Sequence, residues 1–324
     1  MWQTIGHEWA VTLLQRGLDT QHIAHAYLFT GPAHVGKTHL AVEFASALNC
    51  TGDMPPCGAC RACVMTAQGT HPDVIRIEPD GDRIKIDQVR GLQYDLALSP
   101  HEGLWRVCII SDFQTATVEA ENALLKTLEE PASQAVLILT ATDASLLLPT
   151  IVSRCQVLPL RSVPMDQIVP MLIERFDGPE DRARLVARLS AGRVGWALQA
   201  MQDDSLLAQR RHRIEELLEL VQAGQAARIL AAERLSKLKD VSDIVRLWQA
   251  WWRDVVLACS GCEELATNQD FLETLRRLAG LYDLAEVEAA VREAGEALQR
   301  FEQNANIRLA LEALLLSWRR VSLA

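Results

Sequence analysis

Long apolar runs are missing from the 324 residues: no stretch of eighteen or more lacks a charge, so no membrane-spanning helix is expected. No leader is expected either. Met1-Trp2-Gln3-Thr4 has neither the basic nor the apolar region of a signal peptide, and residues 7–18 already read as an amphipathic helix of the mature fold. The expected compartment is the cytoplasm, with no membrane attachment. Positive charge is in short supply, 32 Lys and Arg against 42 Asp and Glu, for a net charge of −10. That balance argues against a protein that grips nucleic acid alone, because such binding needs a basic surface that releases counterions. Any DNA contact is expected to be shared with partners. Internal repeats and low-complexity segments are absent as well.

The length suits two or three domains. The first 160 residues alternate short apolar runs (25–30, 73–78, 106–111, 135–140 and 155–160) with helical patterns, which predicts a parallel α/β sheet. Its nucleotide-type site should lie at the strand ends. After Pro164 strand-like runs stop, and a short helical stretch to about residue 205 contains the turn-like Gly192-Arg193-Val194-Gly195. Beyond about residue 208 the pattern is helical throughout, with a cluster at Trp248, Trp251 and Trp252. The expected domains are therefore 1–163, an α/β domain with a cysteine module at 50–63; 164–207, a small helical domain; and 208–324, an all-α domain. The tryptophans suit either packing against partner helices or a private core.

Gly31-Pro-Ala-His-Val-Gly36-Lys37-Thr38 fits the phosphate-binding pattern G-x-x-x-x-G-K-[ST]. An apolar strand precedes it, and a helix with Leu40, Phe44 and Leu48 on one face follows. Glycines let the loop turn its N–H groups toward phosphate oxygens, Lys37 would reach the β- and γ-phosphates, and Thr38 would hold magnesium. ATP with magnesium is the expected ligand, though a chance glycine turn is the bland alternative, and His34 is bulky for such a loop. Hydrolysis needs more. A second strand must end in a carboxylate for magnesium and a second one to activate water. Here Val107-Cys108-Ile109-Ile110 runs into Ser111-Asp112-Phe113. In one register Ser111 replaces the magnesium ligand and Asp112 the base; shifted by one, Asp112 is the ligand and Phe113 replaces the base. Either way one function is lost, unless another acidic residue substitutes.

Four of the eight cysteines, Cys50, Cys57, Cys60 and Cys63, form C-x6-C-x2-C-x2-C. In a reducing compartment such a cluster is expected to bind metal rather than form disulfides. Four thiolates suit structural zinc and leave no position for water; an iron–sulfur cluster is the chemical rival. Cys259-Ser-Gly-Cys262 has C-x-x-C spacing but no second ligand pair, and is expected to be incidental.

Asn122-Ala-Leu-Leu-Lys126-Thr-Leu-Glu129-Glu130-Pro131, the strand AVLILTATD after it, and Ser153-Arg154-Cys155 resemble the AAA+ clamp-loader proteins of bacterial DNA polymerase III. So do His25-Ala26-Tyr27, Thr70-His71-Pro72-Asp73 and Asn304-Ala-Asn306, and the likeness covers essentially the whole chain. The resemblance implies a small helical lid and an all-α collar after the AAA+ domain, and zinc at the four cysteines. It implies partners of the tau/gamma and delta kinds, and through them a sliding clamp and primed DNA. It also implies that Arg154 projects into a neighbouring subunit's ATP site as an arginine finger, where a lone surface arginine would otherwise be read as a salt bridge. Thr142 falls at the sensor 1 position. Gly195 falls where motor subunits carry the sensor 2 arginine, with Arg193 two residues early. The family has hydrolysing tau/gamma motors and a usually silent delta-prime kind. Ser111-Asp112, Gly195 and termination after the third domain favour the silent kind, with its own ATPase absent; the alternatives are an active tau/gamma-type motor and an unrelated zinc-bearing nucleotide enzyme.

Overall fold

Parallel strands cannot be joined by hairpins, and this chain supplies a helical crossover between most of its apolar runs. In the computed structural model, described for residues 2–303 and 305–322, α1 (Glu8–Asp19) precedes the first strand, β1 (Ala26–Thr30). Then come α2 (Lys37–Leu48), α3 (Arg61–Gln68), β2 (Val74–Ile77), α4 (Ile86–Ala97) and β3 (Arg106–Ile110). They are followed by α5 (Val118–Glu129), β4 (Ala135–Ala141), α6 (Pro149–Val152), β5 (Gln156–Pro159) and α7 (Met165–Phe176). Every predicted strand is present within a residue or so. The sheet is parallel throughout, in the order β2-β3-β4-β1-β5.

Alternation along the strands serves two faces, as the two-residue period of a strand requires. Ala26 and Leu28 of β1 join Cys108, Ile110, Leu137 and Leu139 under Leu92 of α4 and Leu124 of α5. Tyr27 and Phe29 join Val107, Ile109, Val136 and Ile138 under Leu14 of α1 and Leu40, Phe44 and Leu48 of α2. Because both faces are covered, every residue of β1 and β4 is buried and nearly all are apolar.

Parallel strands also give the sheet two unlike edges. All five C-terminal ends lie along one, and all five N-terminal ends along the other. The loop after β1 opens on the strand-finish edge. The residues just before β2, β3, β4 and β5 lie on the strand-start edge.

The chain divides into two compact units, Met1–Gly178 with Ser190–Leu198, and Pro179–Leu189 with Gln199–Ala324. α8 (Glu180–Ser190) and α9 (Val194–Gln202) contribute to both. The second unit is otherwise helical: α10 (Asp204–Gln222), α11 (Gln225–Leu235), α12 (Val241–Cys259), α13 (Leu272–Ala279), α14 (Leu284–Glu302) and α15 (Ile307–Ser317). Trp248, Trp251 and Trp252 are fully buried here, and Trp248 and Trp252 meet Trp318 edge-on at 5.7 and 5.5 Å. The tryptophan cluster is thus private core. Buried Arg228 donates to the carbonyls of Leu220, Val221, Leu315 and Trp318, satisfying helix-end groups that water cannot reach. Asn306 caps α15 by accepting from Leu309 N; Asn304 lies outside the described residues. Among the described residues no helix is long and apolar enough to cross a membrane.

Candidate functional site

The loop from Gly31 to Thr38 takes the sharp path its glycines allow. Gly31 (φ +141°) packs so close to Leu160 that a Cβ would stand 2.1 Å from the Leu160 carbonyl oxygen, and Gly36 (φ +110°) turns the chain into α2. His34 adopts φ 62° and is solvent-exposed, so its bulk is carried outside the turn. Lys37 opens α2, and its Nζ donates to the carbonyls of Gly31 and Pro32 at 2.7 and 2.8 Å, which holds the ammonium across the loop. Burial pulls its pKa down, and the charge of Asp112 works against that shift. Thr38 is exposed in the first turn of α2. A phosphate placed at this helix N-terminus would meet the helix dipole, an oriented lysine and a free hydroxyl position. The residues fit the group.

One contact braces the loop from outside, and a second braces the helix that follows it. His7, buried beside the loop, donates from Nε2 to the Val35 carbonyl at 3.2 Å, and burial lowers its pKa. Glu43 of α2 accepts from the backbone of Gln3 and Thr4 and from the Thr4 hydroxyl, pinning the N-terminal segment alongside. Sequence reasoning assigned neither residue; nothing in their spacing marks them.

At the end of β3, Ser111-Asp112-Phe113 leaves the strand with one carboxylate. Phe113 is fully buried under α4 and α5, so its side chain faces the core. Asp112 sits at φ 51° with its N–H on Thr140 Oγ1 at 3.0 Å, and its carboxylate is the one whose charge reaches Lys37. Gln114 bridges, donating to Asp112 Oδ1 at 3.3 Å and accepting from Thr142 N at 3.3 Å. Thr142 in turn accepts from Gly31 N at 3.2 Å. Loop, Asp112 and Thr142 therefore form one connected group. Other carboxylates at neighbouring strand ends are engaged locally: Asp143 by Ser145 N and Oγ, Asp80 by Lys85.

Gly195 lies in the first turn of α9 rather than in a turn before it. Its N–H donates to the His34 carbonyl at 2.8 Å, and a Cβ there would stand 3.0 Å from the same oxygen. Close approach to the loop thus favours glycine. Arg193 Nε donates to Ser190 O at 2.8 Å, and its guanidinium lies 5.7 Å from the Trp196 ring centroid, tied to its own turn.

Arg154 is elsewhere. It follows α6 and precedes β5, whose Gln156 pairs with Tyr27 at the beginning of β1. The loop of residues 31–38 follows the end of β1 and starts four residues on from Tyr27, or about 13 Å at 3.3 Å per residue. Arg154 thus stands on the strand-start edge, away from its own loop. Asp73 is on that edge too: it accepts from the N–H groups of His101, Glu102 and Gly103 and from Arg106, at 2.6, 2.9, 2.8 and 3.2 Å. Burial alone would raise its pKa, but these donors hold it below the ordinary carboxylate value.

The cysteine module begins at the same edge, where Asn49, just before Cys50, bonds the backbone of Leu104 and Trp105 leading into β3. The Sγ atoms of Cys50, Cys57, Cys60 and Cys63 all lie within 4.8 Å of one another, with Cys57–Cys63 at 3.9 Å and Cys50–Cys60 at 4.0 Å. Four sulfurs 2.3 Å from one tetrahedral ion would be about 3.8 Å apart. Backbone N–H groups of Gly52, Cys57, Cys60 and Cys63 point at these sulfurs, as thiolates require. The set can hold one metal ion, and no other metal-type group of this kind occurs among the described residues. Cys259 and Cys262 point to separate carbonyls, Ala279 O and Ser260 O.

Fold and loop together define a P-loop α/β domain carrying a cysteine module. Residues 6–164 match the family described as DNA polymerase III, delta subunit. The chain is 30% identical to the Bacillus subtilis DNA polymerase III subunit delta-prime over 94% of this chain and 93% of that one. It is 43% identical to the Pseudomonas aeruginosa subunit delta-prime over 44% of each chain. It is also 37% identical to the Escherichia coli subunit tau over 60% of this chain, spanning 31% of that protein. The chain belongs to the DNA polymerase III clamp-loader subunit family.

Proposed function

We propose that the chain is the delta-prime kind of clamp-loader subunit: a scaffold that binds ATP with magnesium without hydrolysing it and supplies Arg154 to the ATP of a neighbouring subunit. The observation that carries this reading is the separation of Arg154 from its own P-loop by the length of a strand. An arginine on the strand-start edge can complete only a site presented by another chain. An arginine finger delivered in this way stabilises charge on the transferring γ-phosphate. The P-loop's own equipment supports the other half. Gly31, Gly36, Lys37 and Thr38 are arranged for phosphate, and bound ATP would supply there the charge that Lys37 neutralises. Asp112 is the single carboxylate closing β3, where hydrolysis needs two, and Gly195 occupies the sensor 2 position.

Residues 164–207 act as the lid and 208–324 as the collar through which tau/gamma and delta partners assemble. Zinc at Cys50, Cys57, Cys60 and Cys63 serves as a structural staple. Through those partners the protein takes part in placing the sliding clamp on primed DNA in the cytoplasm. A steady-state ATPase assay on the isolated chain tests the reading: binding of ATP with no turnover supports it. Turnover abolished by Lys37→Ala would instead identify a tau/gamma-type motor.

A further inference from the structure

Arg154 is ordered at two of its arms. One NH2 hydrogen is donated to Glu129 Oε1 at 2.9 Å and one NH1 hydrogen to the Thr150 carbonyl at 3.0 Å. The acceptors come from different elements, the last residue of α5 and the middle of α6. A carboxylate is poorly placed at a helix C-terminus, where the dipole and free carbonyls are already negative. Nor does the pair hold the fold together: with side chains 36% and 53% exposed, such an ion pair contributes little to stability. What the pair does supply is one fixed place for a long, rotamer-rich side chain. A guanidinium has five N–H donors, so these two contacts leave three free for a phosphate.

We propose that Glu129 is the positioning residue for Arg154. It holds the guanidinium ordered on the strand-start edge, so that a neighbour's γ-phosphate meets an arginine already in place and the cost of ordering it is not added to the reaction barrier. This rests on the finger reading of Arg154. Glu129 acts through Arg154 alone, which gives a signature that a general structural role lacks.

The test is the ATP turnover of the loader reconstituted with its partner subunits, clamp and primed DNA, measured as kcat and KM for wild type, E129A, E129Q, R154A and the E129A/R154A double variant. E129A should lower kcat about tenfold while KM for ATP stays within about threefold. E129Q, whose amide oxygen can still accept from Arg154, should recover most of that loss. The double variant should be no slower than R154A, because removing the arginine removes the purpose of its partner. E129K, which repels the guanidinium, should match E129A and gives the same reading should the alanine chain fail to assemble. Wild-type turnover by E129A and E129K, or an E129A defect that persists undiminished in the R154A background, overturns the proposal while leaving the finger intact. Wild-type turnover by R154A removes the finger reading and this inference with it.

Discussion

The two edges of one parallel sheet are built to different standards. On the strand-finish edge, a phosphate loop is complete down to its oriented lysine, yet the strand beside it ends in a single carboxylate and the approaching helix carries a glycine in its first turn. On the strand-start edge, three independent devices fix the backbone or a side chain: the Asp73 clamp, the cysteine module and the Glu129–Arg154 pair. Binding survives with approximate geometry, whereas hydrolysis fails once a group is misplaced by a fraction of an ångström. Selection on only one of these edges for chemistry in another chain would leave this pattern: an edge that holds a ligand and an edge that presents a rigid surface.

Breaking the strand-start edge should cost most through Asp73. Asp73→Ala strands three backbone N–H groups and Arg106, and is expected to destabilise the chain by about 3–5 kcal/mol, read by denaturant unfolding. Because the folded pKa of Asp73 lies below its unfolded value, its contribution is complete above about pH 4 and is lost as the pH falls through the folded pKa. Acid titration of stability should therefore steepen in wild type and flatten in the variant.

Metal removal comes next. Chelation under reducing conditions should lower the melting temperature by about 5 °C and be reversed by zinc. An unchanged melting curve would mean that the four sulfurs staple nothing. On the other edge, Gly195→Arg should not create a sensor: its Cβ would press on the His34 carbonyl, and nucleotide affinity should fall about fivefold. A gain in hydrolysis from this single change would show that the strand-finish edge lacks only an arginine.

Much of this was legible from sequence where a signal is local. The strands announced themselves by apolar runs, the loop by its glycines and lysine, and the clustering of four sulfurs by cysteine spacing. The sequence leaves the direction of the Phe113 side chain open, because at a strand end it depends on which side chain the core accepts; in the structure Phe113 is buried under α4 and α5. Gly192 to Gly195 reads as a turn, but Gly195 belongs to α9, since what a glycine offers there is close approach to the P-loop rather than a reversal of the chain. The tryptophans could not be assigned to core or interface until their neighbours across α12, α14 and α15 were known. Glu129 and Arg154 lie 25 residues apart with a whole strand between them, so no spacing rule pairs them; only the parallel topology returns both to one edge.

The central claim is that the chemistry served by this chain happens at another chain's nucleotide. It is tested most directly by assembling the loader with Arg154→Ala and, separately, with Lys37→Ala, and measuring ATP turnover on primed DNA. Arg154→Ala should slow turnover by about 10²-fold or more while the complex still assembles, and Lys37→Ala should slow it by less than about threefold. The reverse order, with Lys37 indispensable and Arg154 dispensable, would contradict the account.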